Sequence, residues 1–183
     1  MPPGRLPIPF FTAINRYLTG DAEYSSFQMF VREMVGPIYD KLGINDIPGE
    51  QHYQPYIRSI AINLACLAGD LACLQNTNNK LNDLVNHGTA LEPNLQTQIY
   101  CNGLRSTEDK TYNFVYDKLM ASNDQAERRI LISSLGCSQT ESQIMKFISS
   151  SIDKENKLRD QERYTLLSPA YSRGEVGLLT CIK

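Results

Sequence analysis

Apolar residues return every three or four positions along most of this chain, and the strict alternation of a half-buried strand is almost absent. The clearest run is Phe27, Phe30, Val31, Met34, Val35, Ile38 and Leu42, one stripe over about four helical turns. Pro37 falls inside it. Because the stripe continues past it, the proline is expected to bend that helix rather than end it. Ile57, Ile60, Leu64 and Leu67 mark the next helix, and Leu71, Leu74, Leu81 and Leu84 the one after. A chain patterned this way buries its stripes helix against helix.

The stop and start signals give the rhythm. Asn86-His87-Gly88 reads as a helix stop, with Gly88 suited to a left-handed cap. Pro93 suits the first position of a new helix. Ser106 with Asp109, Asp124 with Glu127, and Ser138 with Glu141 have capping-box spacing. Gly136 closes the helix that carries Ile130, Ile132 and Leu135. The segments between are roughly 12 to 17 residues with short turns, as in helix hairpins. A hairpin unit of about 35 residues is the length of a solenoid repeat. No sequence motif repeats, and a compact bundle would use the same elements, but the steady succession favours a stack.

Composition excludes other classes. Apolar residues are 42% and charged residues 21% of the 183, enough for a real core, and the net charge is −2. The basic residues are scattered, so the chain lacks the electrostatic footprint of a nucleic-acid binder. No apolar run approaches the roughly 18 residues of a membrane span, and "MPPGRLPIPFF" is not a signal-peptide pattern. Any secretion signal or anchor is expected outside this chain.

The cysteines carry the most information about compartment. Cys66 falls in the last turn of one helix, Gly69-Asp70 makes a turn, and Cys73 falls in the first turn of the next. Flanking a tight turn, the pair could come within disulfide reach, but buried free thiols fit the spacing equally well. A zinc site needs four ligands and none stand nearby; His52 and His87 are far apart and read as surface or capping residues. Cys101 and Cys137 lie about one helical repeat apart, so a bond between them would tie one hairpin to its neighbour. Cys181 is left over.

"EPNLQTQIYCNGL" (92–104) resembles the signature of the C-terminal domain of aminopeptidase N, a family of zinc-dependent, membrane-anchored ectoenzymes that remove N-terminal residues from peptides. "MVGPIYDKLG", "IAINLACLAGDLAC", "ILISSLGCSQTE" and "LRDQERYTLLS" are similar to insect gut aminopeptidase N in particular. The resemblance runs from about residue 7 to the end. It implies an all-α, right-handed superhelix of HEAT- or armadillo-like antiparallel hairpins, stapled by Cys66–Cys73 and Cys101–Cys137, with Cys181 an unpaired thiol. Residues 7–183 are then most of one repeat domain, cut short at its C-terminal end, and residues 1–6 an added or linking segment. The family's H-E-x-x-H zinc helix and G-A-M-E-N-like strand are absent from these residues. The resemblance places them in an earlier catalytic domain that this domain covers like a bowl, limiting access to small peptides.

No catalytic or metal-binding residue is therefore expected in this chain, and zinc belongs to the parent. The implied partners are the catalytic domain of the same polypeptide, its peptide substrates, and bacterial crystal toxin, for which insect gut members of the family serve as receptors. The implied location is the extracellular face of the plasma membrane, through a GPI anchor outside this segment. Two polar stretches have plain structural readings: "QNTNNK" (75–80) as an outward helix face, and "DKENKLRDQERY" (153–164) as a solvated one. The alternative to the whole reading is a free-standing helical-repeat interaction module with reduced cysteines.

Overall fold

A computed structural model describes residues 8–172 and 176–177. Among the described residues there are nine α-helices and no strand, and two disulfides join them, so the chain is all-α and stapled. The helices are α1 (Ile8–Leu18), α2 (Tyr24–Leu42), α3 (Gln54–Leu67), α4 (Leu71–His87), α5 (Gln96–Gly103), α6 (Asp109–Ala121), α7 (Gln125–Leu135), α8 (Glu141–Ile152) and α9 (Asp160–Ser172). A single 3-10 turn, Leu104–Ser106, follows α5. No single helix among them is long and apolar enough to cross a membrane. The chain divides into two compact units, Met1–Cys73 and Leu74–Lys183, with the boundary in the first turn of α4.

In the first unit α2 lies along α3, and α1 touches both. The stripe read from the sequence is wider than what α2 buries. Val31, Val35 and Tyr39 are buried, whereas Phe30, Met34 and Ile38, one residue behind, are half exposed. A step of one residue turns about 100° around a helix, which carries that second line away from α3. Pro37 sits inside α2 without ending it. Helix α3 is buried on several sides, at Arg58, Ile60, Ala61, Ile62, Leu64, Ala65 and Cys66. Its apolar run "IAINLACLA" is therefore continuous rather than one-faced.

The second unit is built in two rows. In one row α6 and α8 are parallel neighbours: Asp109 accepts from Gln143 at 2.8 Å, Asn113 from Lys146 at 2.6 Å, and the Tyr116 and Ser150 hydroxyls meet at 2.8 Å. Helix α4 lies on the other side of α6, where Thr111 donates to Asn82 at 2.8 Å and Lys110 to Asn86 at 2.7 Å. In the other row α7 packs against α5 and α9 against α7. The hairpins α6–α7 and α8–α9 connect the rows. The core holds Leu95, Ile99, Leu104, Tyr112, Val115, Leu119, Leu131, Leu135, Ile144, Phe147 and Leu166, all at least 99% removed from solvent. Each such side chain contributes about 1.5–3 kcal/mol of burial.

The helix boundaries follow the start signals only in part. Asp124 caps α7, accepting from the Ala126 N–H at 2.8 Å. Helix α8 is instead entered through Thr140, and Ser138 works two residues earlier, accepting from the Thr140 N–H at 3.0 Å and donating to Gln143 at 2.7 Å. Ser106 ends the 3-10 turn, so α6 begins after Glu108, and Pro93 lies in a turn before α5. Both changes come from the 3-10 and turn residues, which take up chain that a simple helix rhythm assigns to α-helix.

Candidate functional site

The stretch "CLAGDLAC" folds as a stop joined directly to a start. At the end of α3 the Asp70 N–H donates to Ala65 O at 3.0 Å and the Gly69 N–H to Cys66 O at 3.1 Å, the two bonds of a Schellman cap. That cap needs a left-handed residue, and Gly69 supplies it with φ +72°. Asp70 then accepts from the Cys73 N–H at 2.8 Å and so caps α4. Arg32 of α2 donates to Ala68 O at 2.6 Å and holds the turn down. The result sets Cys66 and Cys73 with Cα atoms 5.3 Å apart, and they are bonded to each other.

Cys101 of α5 is bonded to Cys137, just beyond the Gly136 that ends α7, with Cα atoms 5.2 Å apart. This staple joins neighbours within one row. Both bonds are buried, each cysteine being no more than 5% exposed. On the chain-entropy model a loop closed over a separation of 7 contributes about 2.5 kcal/mol and one over 36 about 3.8 kcal/mol. Beside the second staple, burial and then the Glu127 charge push the Tyr100 phenol up to about 12. Cys181 lies outside the described residues.

Two buried arginines brace helix hairpins. Arg58, near the start of α3, donates from Nε to Leu42 O at the end of α2 at 3.0 Å. Its Nη atoms reach both oxygens of Glu50 at 2.6 and 2.5 Å, and Asp46 at 3.3 Å. Arg128, near the start of α7, donates to Leu119 O and Ser122 O at the end of α6 at 2.6 and 2.9 Å. It grips Glu162 with two bonds of 2.8 and 2.6 Å and touches Lys157 O at 3.2 Å. In each case a fork of donors satisfies the last carbonyls of one helix and clamps a carboxylate from a loop or a later helix. The Arg58 guanidinium holds Glu50 below the usual carboxylate range, and Arg128 does the same to Glu162. Glu127 is held low by Lys118 and then by the Ser122 hydroxyl.

Little in the sequence marks this pattern. A charge reads as surface, and the one signal was an arginine set within an apolar run, "IRSIAINLACL" and "RRILISSL". Two polar stretches also need correction. In "QNTNNK", Thr77 is fully buried and Asn78 donates to Gly103 O at 3.1 Å, so part of that face is inward. The absence of a side chain on Gly103 allows the approach: a Cβ there would stand 2.9 Å from Leu81 and from Thr77 O. The stretch 153–164 is not one helix face either. Asp153 ends α8, α9 starts only at Asp160, Leu158 is buried, and Glu162 points in to Arg128.

Among the described residues no three His, Cys, Asp or Glu side chains gather as a metal site. Four cysteines are used in disulfides, His52 is exposed, and His87 is exposed with Asp83 at 3.6 Å. No step of hydrolysis is assigned to these residues. A groove of about 620 Å³ between α7 and α9 is lined by Gln125, Arg129, Ser133, Thr165 and Ser168, with Glu162 already committed to Arg128.

Together these features define an all-helical domain braced by two disulfides and two buried guanidinium–carboxylate pairs. The model of the ERAP1-like C-terminal domain matches residues 9–179, and the chain belongs to that family. It is 30% identical over 90% of its length to aminopeptidase N of Plutella xylostella, and 20% identical over 93% to membrane alanyl aminopeptidase of Manduca sexta. It is 24% identical over 78% to the thyrotropin-releasing hormone-degrading ectoenzyme of Rattus norvegicus. The chain spans 17%, 17% and 14% of these relatives' own lengths.

Proposed function

We propose that this chain is the C-terminal helical portion of a zinc aminopeptidase held at the extracellular face of the plasma membrane by a GPI anchor. Its work there is to cover the active site of the preceding catalytic domain and limit access to small peptides. The observation that carries this reading is the family match over 9–179. The relatives' names support the parent's activity and place: aminopeptidase, membrane and ectoenzyme. The two disulfides support an oxidising compartment, because such bonds are rare where thiols are kept reduced. They also weigh against a free-standing module with reduced cysteines.

Zinc and the hydrolytic residues belong, on this reading, to the part of the polypeptide before this segment. The test is hydrolysis of alanine-p-nitroanilide by the protein translated from the whole reading frame and by the 183-residue chain alone. Chelator-sensitive turnover is expected from the first and none from the second. A reading frame without an H-E-x-x-H helix, or turnover by the isolated chain, overturns it.

A further inference from the structure

The groove between α7 and α9 has a lining that helix packing does not need. On α7, Gln125, Arg129 and Ile132 follow at steps of four and three; on α9, Gln161, Thr165, Ser168 and Ser172 follow at four, three and four. Each line therefore runs along one side of its helix. Helices that pack together bring apolar lines to each other. Here the two touch elsewhere, with Gly136 against Ala170 and Arg128 on Glu162, while hydroxyls and amides line the groove beside that contact. Only Ile132, which is buried, and Pro169 give it an aliphatic floor. Its volume of about 620 Å³ is that of a small-ligand site.

The charge in the groove is cationic. Arg129 makes no hydrogen bond or ion pair among the described residues, and Arg159 makes one long bond, 3.5 Å from Nη2 to Asn123 O. Glu162 is the carboxylate of the lining, and both of its oxygens are held by Arg128 at 2.8 and 2.6 Å. Two permanently charged forks are thus left for an oxyanion. A peptide finds little else here: both helices use their own backbone groups, so there is no edge to pair with, and the floor is too small for apolar side chains. A sugar finds more. Serine and threonine hydroxyls and glutamine amides both donate and accept, as ring hydroxyls require. The Tyr164 ring, 84% exposed at the rim, offers a flat face to the C–H side of a pyranose. We propose that the α7–α9 groove binds an acidic saccharide, its carboxylate or sulfate held by Arg129 and Arg159 and its hydroxyls by the polar line of α9. The site is independent of the peptidase reading.

Isothermal titration calorimetry of the 183-residue chain at fixed ionic strength tests this with three tetrasaccharides. They are unsulfated chondroitin, carboxyl-reduced chondroitin sulfate, and a neutral form with neither group. Saturable binding of one or both acidic forms is expected, at least tenfold tighter than the neutral one, and the better acidic form identifies the oxyanion. Arg129→Gln with Arg159→Gln should weaken that binding at least tenfold and leave the unfolding midpoint unchanged. Tyr164→Ala, at an exposed ring with no structural load, should weaken it at least threefold. Lys154→Gln with Lys157→Gln, cations outside the groove, should leave it within twofold. Equal affinity for the neutral form, no saturation at millimolar ligand, or an equal loss in the lysine variant overturns the proposal. Tighter binding of tetraglutamate than of either acidic saccharide does so as well, because the ligand is then a peptide.

Discussion

Replacing Arg128 by methionine tests the buried clamp on α7. The side chain is 3% exposed and makes five hydrogen bonds, two to Glu162 and three to the carbonyls of Leu119, Ser122 and Lys157. Methionine fills much of the volume but leaves a carboxylate that is 12% exposed without its partner. Removing one member of such a pair costs about 3–5 kcal/mol. Arg128→Met with Glu162→Met removes the stranded charge but not the three unpaired carbonyls, so about 1–3 kcal/mol of the loss should remain. The sign of the pH dependence follows from Glu162, whose folded pKa is lowered chiefly by its hydrogen bonds to Arg128. That lowering stabilises the native chain above the unfolded carboxylate value of about 4.3 and is lost as pH falls through the folded value. The gap between wild type and Arg128→Met should therefore narrow on acidification below about pH 4. Urea unfolding followed by far-UV circular dichroism at pH 7 and pH 3.5 reads both effects. A single variant within 1 kcal/mol of wild type, or a double variant as unstable as the single, refutes the clamp.

Three other outcomes follow from the same contacts. Non-reducing peptide mapping should recover Cys66–Cys73 and Cys101–Cys137, and Cys101→Ser with Cys137→Ser should lower stability more than the Cys66, Cys73 pair does, in the order of about 3.8 and 2.5 kcal/mol. Gly36→Ala, in the interior of α2 with nothing within 4 Å of the added carbon, should stabilise by about 0.5–1 kcal/mol in thermal melts. Gly136→Ala should destabilise by about 1–3 kcal/mol, because its Cβ would stand 2.5 Å from the Pro169 carbonyl carbon and 2.7 Å from Ala170 N. The receptor role implied by family resemblance predicts binding of crystal toxin to the native chain in surface plasmon resonance and its loss on reduction and alkylation; equal affinity for the two contradicts a folded receptor surface.

What the residues disclosed was chiefly what is local. The period of 3.6 gave the helices, and "CLAGDLAC" gave a stop, a turn and a start whose chemistry needs only neighbours in sequence. Whether the cysteines there were bonded could not be decided from spacing alone; it took the resemblance to imply the pairing. Long-range polar contacts were invisible for a different reason. Arg128 and Arg129 stand side by side, yet one is buried and one exposed, and the difference is set by Glu162 more than thirty positions away. Thr77 is buried because Gly103 lets α5 come close, which no pattern within α4 records. The wide stripe on α2 shows the converse: sequence marks which residues are apolar, while the neighbouring helix decides which of them are covered.

The role proposed for this domain, limiting access to small peptides, is measured most directly by release of the N-terminal residue from alanine-led substrates of increasing size, using the protein from the whole reading frame. Chelator-sensitive release from short peptides, falling away for a folded protein that carries the same exposed N-terminus, is the expected result. Equal rates for the short peptide and the folded protein would contradict a covering role for the helical domain.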